Sequence, residues 1–380
     1  MARFLHTADL HLGRMLYGER LLEDQVLVLE GIKAEVIAHQ PDALLIAGDV
    51  FDRSVPPADA VEALDNFLVS VVSELKVPVV MIPGNHDSAD RLGFGARLLG
   101  EGLHIVSTLD RVTAPLRIVD AHGPVDIFGL PFLEPVRVAS FLDTPEIRSH
   151  QAATIAMIDT IKAIDRSPRS VLVAHAFVTG GEESDSERPL SLGGLDTVDA
   201  SVFSGFSAVA LGHLHRPQKV GHESIQYAGS PMRYSTSELG YTKSINLIEI
   251  DAAGHTTVRR IPVHSPRDLV VLEGTLDALL TEEQTARPTD WVVAKLTDKG
   301  PVYNSMARLR ARWPNALHIE RVHPETSAEP PLAGADHRTL SVDALFDTFF
   351  EAVAGEPISN TERDVLAAIM TEPAGQEGAA

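Results

Sequence analysis

Leu44-Leu45-Ile46-Ala47-Gly48-Asp49 is an apolar run closed by a glycine and a carboxylate. Its length suits a strand buried on both faces, and the Gly-Asp pair marks where the chain turns out of a sheet with a charged group at the strand's carboxyl end. The same construction recurs along the chain. Runs rich in Val, Ile and Leu lead to Asp9 and His11, to Asn85 and His86 in Pro83-Gly84-Asn85-His86-Asp87, and to His175 in Leu172-Val173-Ala174-His175. A fifth run, Ala208 to Leu211, leads to His213 and His215. Five buried strands ending in polar groups describe a layered α/β domain, in which ligands gather at the carboxyl ends of strands.

The polar groups form a chemical set. Asp9, His11, Asp49, Asn85, His175, His213 and His215 offer oxygen and imidazole nitrogen and no sulfur. Such donors suit Mn, Fe, Mg or Zn in a catalytic site. Asp49 can bridge, because an ionised carboxylate has two oxygens. Two cations roughly 3.5–4 Å apart can activate a water and clamp a phosphodiester, so the chemistry implied is hydrolysis of a phosphate ester. Each block alone is weak. Asp9-Leu10-His11 is a common tripeptide, Gly48-Asp49 is usually a turn, and a histidine on an apolar run is usually a core residue. Their joint occurrence carries the reading.

In this order the blocks resemble the calcineurin-like metallophosphoesterase superfamily, with its Asp-x-His, Gly-Asp, Gly-Asn-His-Asp, lone His and Gly-His-x-His. The resemblance implies an α/β fold of four layers, an α-β-β-α sandwich. It implies that Asp9, His11, Asp49 and His215 hold one metal, and Asp49, Asn85, His175 and His213 the other. By the same resemblance His86 faces the phosphate, stabilising charge or protonating the leaving oxygen.

Within the superfamily, Leu10-His11-Leu12-Gly13-Arg14, Ala47-Gly48-Asp49-Val50-Phe51-Asp52, Pro83 to Ser88 and Tyr227-Ala228-Gly229-Ser230-Pro231 are similar to the bacterial SbcD exonuclease family, over nearly the whole chain. That likeness implies a DNA nuclease using two divalent ions, Mn2+ foremost with Mg2+ or Fe2+ as alternatives. The activities implied are 3'-5' exonuclease on duplexes and endonuclease on single strands and hairpins, in DNA repair, recombination and replication. The partner implied is an SbcC-type ATPase engaged at the base of its coiled coil. A homodimer within a heterotetramer is implied too, through helices placed around Leu16 to Leu27 and Ala60 to Leu75. Archaeal and eukaryotic relatives have a histidine where this chain has Asp52; the bacterial family resembles this chain there, so Asp52 is read as an orienting group rather than a missing catalyst.

Composition bounds the rest. At 380 residues the chain exceeds the usual size of a single core. Without cysteine it has neither disulfides nor a thiolate zinc site. No apolar stretch reaches the ~18 residues of a membrane span, and no leader precedes the first strand, so a cytoplasmic protein is expected. Its formal charge of −21 is unfavourable for DNA, and two divalent cations would change it only to −17. DNA must then be met by local basic groups, the metals or a positively charged partner. The chain has no Gly-x-x-x-x-Gly-Lys loop, so control by ATP would come through that partner.

Further along, Leu21 to His39 and Ala58 to Leu75 have helical spacing, the second opened by Pro56-Pro57. Gly180 to Gly194 reads as a mobile acidic loop. Ser244 to Ile250 and Thr256 to Val263 form a hairpin about Asp251 to Gly254. The phosphoesterase core is expected over 1–265, followed over 266–323 by a small αβ capping domain. The helix of that domain, Ser305 to Trp313, carries Arg308, Arg310 and Arg312, which the resemblance makes DNA-positioning residues; an arginine run is otherwise a solvated face. A proline-containing linker is expected over 324–340. Two helices follow over 341–371, capped by Ser341 and by a Ser359/Glu362 capping box, with apolar faces at Leu345, Phe346, Phe349, Phe350, Leu366 and Ile369. Those faces either pack back on the core or bind a partner's helices. The tail, 372–380, is expected to be disordered.

Two other functions use the same residues. A phosphatase or cyclic-nucleotide phosphodiesterase would need the metals but neither the arginine-bearing cap nor the tethered helices. A non-catalytic DNA-end scaffold would need no open dinuclear site.

Overall fold

The computed structural model describes residues 1–100, 102–187, 197–322, 341–354 and 357–371. Two six-stranded sheets dominate them. The first runs Thr256–Pro262, Ser244–Ile250, Ala2–Thr7, Ala43–Ala47, Val79–Ile82, Leu103–Ile105. The second runs Gln218–Val220, His222–Tyr227, Ala208–Gly212, Ser170–His175, Gly123–Leu130, Leu116–Asp120. The strands that carry the polar blocks pair in parallel at the centre of each sheet, Ala2–Thr7 with Ala43–Ala47 and Ala43–Ala47 with Val79–Ile82 in one, Ser170–His175 with Ala208–Gly212 in the other.

Alternation along the strands explains why their sequences read as unbroken apolar runs. Leu45 and Ala47 point into the core shared by the two sheets, with Phe4, Val80, Ile127, Val171 and Val173. Leu44 and Ile46 point the other way, onto a second core with Val28, Leu29, Ile32 and Val36 of the helix Leu22–His39 and with Ala60, Leu64 and Phe67 of the helix Ala58–Leu68. On the outer face of the second sheet, Ala153, Met157, Ile158 and Ile161 come from the helix His150–Lys162. Helix, sheet, sheet and helix make four layers, and each fully buried Leu or Ile contributes about 1.5–3 kcal/mol. The strands Ser244–Ile250 and Thr256–Pro262 pair antiparallel as a hairpin.

Two helix expectations need correction. Leu16 to Leu27 is not one helix: Met15–Leu16 pairs with Glu19–Arg20 in a small hairpin, and the helix starts at Leu22. Tyr17 (φ 50°) and Gly18 (φ 87°) both adopt the left-handed conformation, which a two-residue hairpin turn demands and a helix forbids. The helix from Ala58 keeps α geometry only to Leu68 and continues over Val69–Glu74 as a π-helix, closing with the Leu75 N–H on the Ser70 carbonyl at 3.0 Å. The stretch Val69-Ser70-Val71-Val72 is rich in β-branched residues, which have lower helix propensity.

The described chain divides into two compact units, residues 1–271, 286–293 and 315–318 in one, 272–285, 294–314 and 319–380 in the other. A three-stranded sheet runs Leu269–Gly274, Trp291–Leu296, Ala316–Arg321. In the second unit Leu279 and Leu309 are buried, and the indole N–H of Trp313 donates to the Leu279 carbonyl at 3.3 Å. Its C-terminal helices are Val342–Ala354 and Asn360–Thr371. Ser341 Oγ accepts the Ala344 N–H at 3.2 Å, Ser359 and Glu362 form a reciprocal capping box, and Arg363 pairs with Asp347 at 2.8 Å. Leu345 and Phe349 are exposed, while Phe346, Phe350 and Leu366 are half-buried. The side chain of Ile369, the linker 324–340, the tail 372–380 and residues 188–194 of the acidic loop lie outside the described residues. Among the described residues no helix is long and apolar enough to cross a membrane.

Candidate metal centre

The loops that leave the central strands are laced together before any side chain is considered. The Asp9 N–H donates to the Gly48 carbonyl at 3.0 Å and the His11 N–H to the Asp49 carbonyl at 2.9 Å. Asp9, His11, Asp49 and His213 all have positive φ, at 53°, 44°, 47° and 116°. Four non-glycine residues held in this uncommon region are backbone strain concentrated at one place, the pattern of a functional site. Gly48, with φ 87°, has no alternative: a β-carbon on it would lie 2.3 Å from His175 Nδ1.

These loops bring together two groups of donors. The donor atoms of Asp9, His11 and His215 lie within 4.8 Å of one another, as do those of Asp49, His175 and His213. Asn85 Oδ1 is 3.0 Å from His175 Nε2 and 3.1 Å from His213 Nδ1. Asp49 Oδ2 sits between the groups, 3.5 Å from His175 Nε2 and 3.8 Å from His11 Nε2. His213 and His215, two apart in a loop rather than on a strand, straddle the groups. A third set within the same radius is His11, Asp52 and His86.

Burial disfavours the charged form of the four imidazoles. It lowers the pKa of His11 to about 3 and lowers those of His175, His213 and His215 as well. Asp9 is pushed up by burial and then by the neighbouring Asp49 charge, whereas the push of burial on Asp49 is outweighed by His175, His11 and His86, which hold it low. The His11 and His215 Nε2 atoms face each other at 3.0 Å. Two neutral ring nitrogens so placed can share one proton at most, whereas a cation accepts both lone pairs. Buried carboxylates beside converging lone pairs fit hard or borderline divalent cations.

The far sides of these rings are also held. His175 Nδ1 donates to the Ala47 carbonyl at 2.9 Å, and His11 Nδ1 is 3.5 Å from Asp52 Oδ1. The His86 N–H donates to Asp49 Oδ1 at 2.8 Å, its Nδ1 donates to the Asp52 carbonyl at 2.8 Å, and its ring stands edge-on to His11 at 4.7 Å. Asp87 fixes the turn by accepting N–H bonds from Gly84, Val50 and Phe51; burial and the Asp49 charge push its pKa up to about 7 against those bonds.

Several contributors escaped the sequence reading. Arg14 reaches Asp52 Oδ1 at 3.3 Å and the Ser186 carbonyl at 3.1 Å, and lies over the Tyr234 ring. Gln25, on the helix Leu22–His39, donates to the His11 carbonyl at 2.7 Å and accepts the Gly13 N–H at 3.0 Å; a polar residue inside an apolar helical face was its one signal. The acidic loop was read as mobile, yet Ser186 is buried and Glu187 accepts the His215 N–H at 2.7 Å. Away from this site, Arg308 pairs with Asp277 at 2.6 Å, and Arg312 donates to the Leu280 and Glu282 carbonyls. Arg310 is exposed and has contacts of its own. Arg308 and Arg312 thus also make contacts within their own unit.

Comparison with known proteins gives two family matches. A family model described as calcineurin-like phosphoesterase matches residues 2–217, and one described as type 5 capsule protein repressor C-terminal domain matches residues 265–354. Two curated proteins, each named as the D subunit of nuclease SbcCD, are similar over nearly their whole length. The one from Staphylococcus epidermidis is 30% identical over 382 residues, covering 99% of this chain and 100% of the relative. The one from Staphylococcus saprophyticus subsp. saprophyticus is 32% identical over 372 residues, covering 97% and 98%. A solved structure from Thermus thermophilus aligns with 68% of this chain and 98% of its own at 12% identity and a TM-score of 0.38, too distant to add to the argument.

Proposed function

This chain belongs to the calcineurin-like phosphoesterase family, and from that membership we propose that it is a divalent-metal-dependent nuclease, the hydrolytic subunit of a complex with an SbcC-type ATPase. The observation that carries the reading is the two donor groups joined by Asp49, with the His86 N–H on the Asp49 carboxylate. Asp9, His11, Asp49 and His215 would hold one cation, and Asp49, Asn85, His175 and His213 the other, with Mn2+ as the proposed metal. When bound, the pair supplies an activated water and neutralises charge on the phosphodiester.

The chain's own groups do the remaining work. With Nδ1–H anchored on the Asp52 carbonyl, His86 presents Nε2 to the phosphate, where it stabilises charge or protonates the leaving oxygen. The Asp52 carboxylate orients His11 and is itself oriented by Arg14. The substrate is DNA, cut as a duplex from 3' ends and at hairpins or single strands during end processing in the cytoplasm. Because the chain is strongly acidic, DNA is brought in by local basic groups, among them Arg308, Arg310 and Arg312 of an αβ cap, and by the partner's surface. The apolar faces at Leu345, Phe346, Phe349, Phe350, Leu366 and Ile369 dock the ATPase. Exposed Val26, Leu27, Ile37, Val61 and Val69 on the first two long helical segments form the homodimer contact of a heterotetramer.

The test is cleavage of end-labelled duplex and hairpin DNA by the purified protein with Mn2+, with and without the ATPase, beside His86→Ala and beside bis-p-nitrophenyl phosphate. Metal-dependent shortening that falls about 10²–10⁴-fold in the variant supports the reading. Hydrolysis of the small ester alone, even with the ATPase present, would replace the nuclease by a phosphatase or phosphodiesterase.

A further inference from the structure

His215 is held differently from the other ring donors. Its Nδ1 donates to Ser186 Oγ at 2.6 Å, and the Ser186 hydroxyl donates in turn to Glu238 Oε1, which also lies 3.4 Å from Nδ1 directly. Glu238 pairs with Lys243 at 2.5 Å. Lys243 also donates to the His215 carbonyl at 2.9 Å and to Ser230 Oγ at 2.7 Å. The Glu238 side chain is 0% exposed and that of Lys243 4%, so this is a charge pair taken almost wholly out of water.

A buried ion pair is weak evidence for stability, since apolar residues of the same volume commonly do as well. The pair therefore invites a functional account, and its connections supply one. One end fixes the imidazole and the other fixes the main chain of the same residue. The order N–H to hydroxyl to carboxylate leaves the His215 lone pair on Nε2, the atom that faces His11 Nε2 at 3.0 Å. Lys243 supplies the counter-charge that lets Glu238 stay ionised in the interior, and so remain an acceptor.

We propose that Glu238, acting through Ser186 and balanced by Lys243, is a positioning residue that sets the tautomer and orientation of His215 for the cation held with Asp9 and His11. The inference rests on the metal-binding reading above. Outer partners of this kind typically govern about 10–100-fold in metal affinity.

Two variants of the full chain separate positioning from mere packing. Glu238→Gln with Lys243→Met removes both charges together, so that neither is left buried alone. Ser186→Ala breaks the relay without touching a charge. The metal-stripped proteins are titrated calorimetrically with Mn2+, and their metal-free melting temperatures are compared. The wild type is expected to take two Mn2+. In the double variant one of the two binds about 10–100-fold more weakly while the metal-free melting temperature stays near that of the wild type, and Ser186→Ala shifts the same ion in the same direction. Wild-type affinity for both ions in either folded variant overturns the proposal. Equal weakening of both ions together with a lowered metal-free melting temperature also overturns it, because that is the signature of a packing role. A wild type that takes up fewer than two Mn2+ refutes the dinuclear reading instead, an outcome the variants do not mimic.

Discussion

Gly84 lies so close to Asp49 that a β-carbon built on it would sit 2.2 Å from Asp49 Oδ1, 2.4 Å from the Asp49 backbone nitrogen and 2.7 Å from His175 Cε1. The turn that carries Asn85 and His86 is thereby pressed directly onto the carboxylate that joins the two donor groups. Glycine is required there for space.

Gly84→Ala should therefore displace Asp49 and His175 together, and Mn2+-dependent hydrolysis should fall at least about 10²-fold, since misplacement of reacting groups by about 1 Å is worth that much. Gly31→Ala is the control. Gly31 lies on the helix Leu22–His39 with open space around its would-be β-carbon, so alanine should leave activity intact and raise stability by up to ~1 kcal/mol. Circular dichroism melts and ester hydrolysis on both variants decide the matter; full activity in Gly84→Ala would contradict the geometry.

Removing the metal should cost stability. A ligand at 100 times its Kd stabilises the folded state by about 2.7 kcal/mol, so Mn2+ added after EDTA treatment should raise the melting temperature by several degrees. Asp49→Ala should abolish most of that rise, because both donor groups use this carboxylate. A melting temperature indifferent to Mn2+ in the wild type would argue against a metal site.

Asp120 and Arg169 form a two-pronged ion pair, with both guanidinium nitrogens on the carboxylate at 2.8 and 2.7 Å and both side chains nearly buried. The Arg169 guanidinium holds the Asp120 carboxyl well below its ordinary value of 3.8. A carboxyl depressed on folding stabilises at pH values above its unfolded pKa, and that stabilisation fades as pH falls through the folded value. Asp120→Asn should be less stable than wild type by about 1.5–3 kcal/mol at pH 7, with the gap narrowing as pH drops below 3.8. Denaturant melts from pH 7 to pH 2.5 test this, and a gap that widens in acid would reverse the sign.

Phe349 is 56% exposed on the helix Val342–Ala354, beside Phe346 at 6.2 Å between ring centroids. Phe349→Asp places a charge in the middle of the apolar face. Binding to an SbcC-type ATPase should weaken more than about 10-fold, while Mn2+-dependent hydrolysis of a small ester by the isolated chain is unchanged. Unaltered complex formation in co-purification would show that this face serves something else.

Much of the fold was legible from the chain because buried parallel strands leave a local signature. Leu44 to Ala47 and Val171 to Ala174 are apolar throughout since both faces of each strand are covered, and the polar residue that ends the run must then lie at the sheet's carboxyl edge. Helix starts at Ser341 and Ser359 were equally local, since a cap is a matter of three or four residues. The hairpin about Tyr17 and the π-helix after Leu68 were missed because tyrosine at positive φ and a wide helical turn have no distinctive composition.

By itself, the sequence offered a set of metal-ligand residue types, their order, and their place at or just beyond the ends of apolar runs. Local pattern alone could not say which donors meet; only the family resemblance grouped them. The pairing of His11 with His215 spans 204 positions, and the grip of Lys243 and Glu238 on His215 arises only when the segment after Pro231 folds over the strand end Ala208–Gly212. Hydrogen bonds between distant segments leave no periodicity in the chain, so the ligand set was readable as composition while the groups that orient it were decided by the tertiary fold.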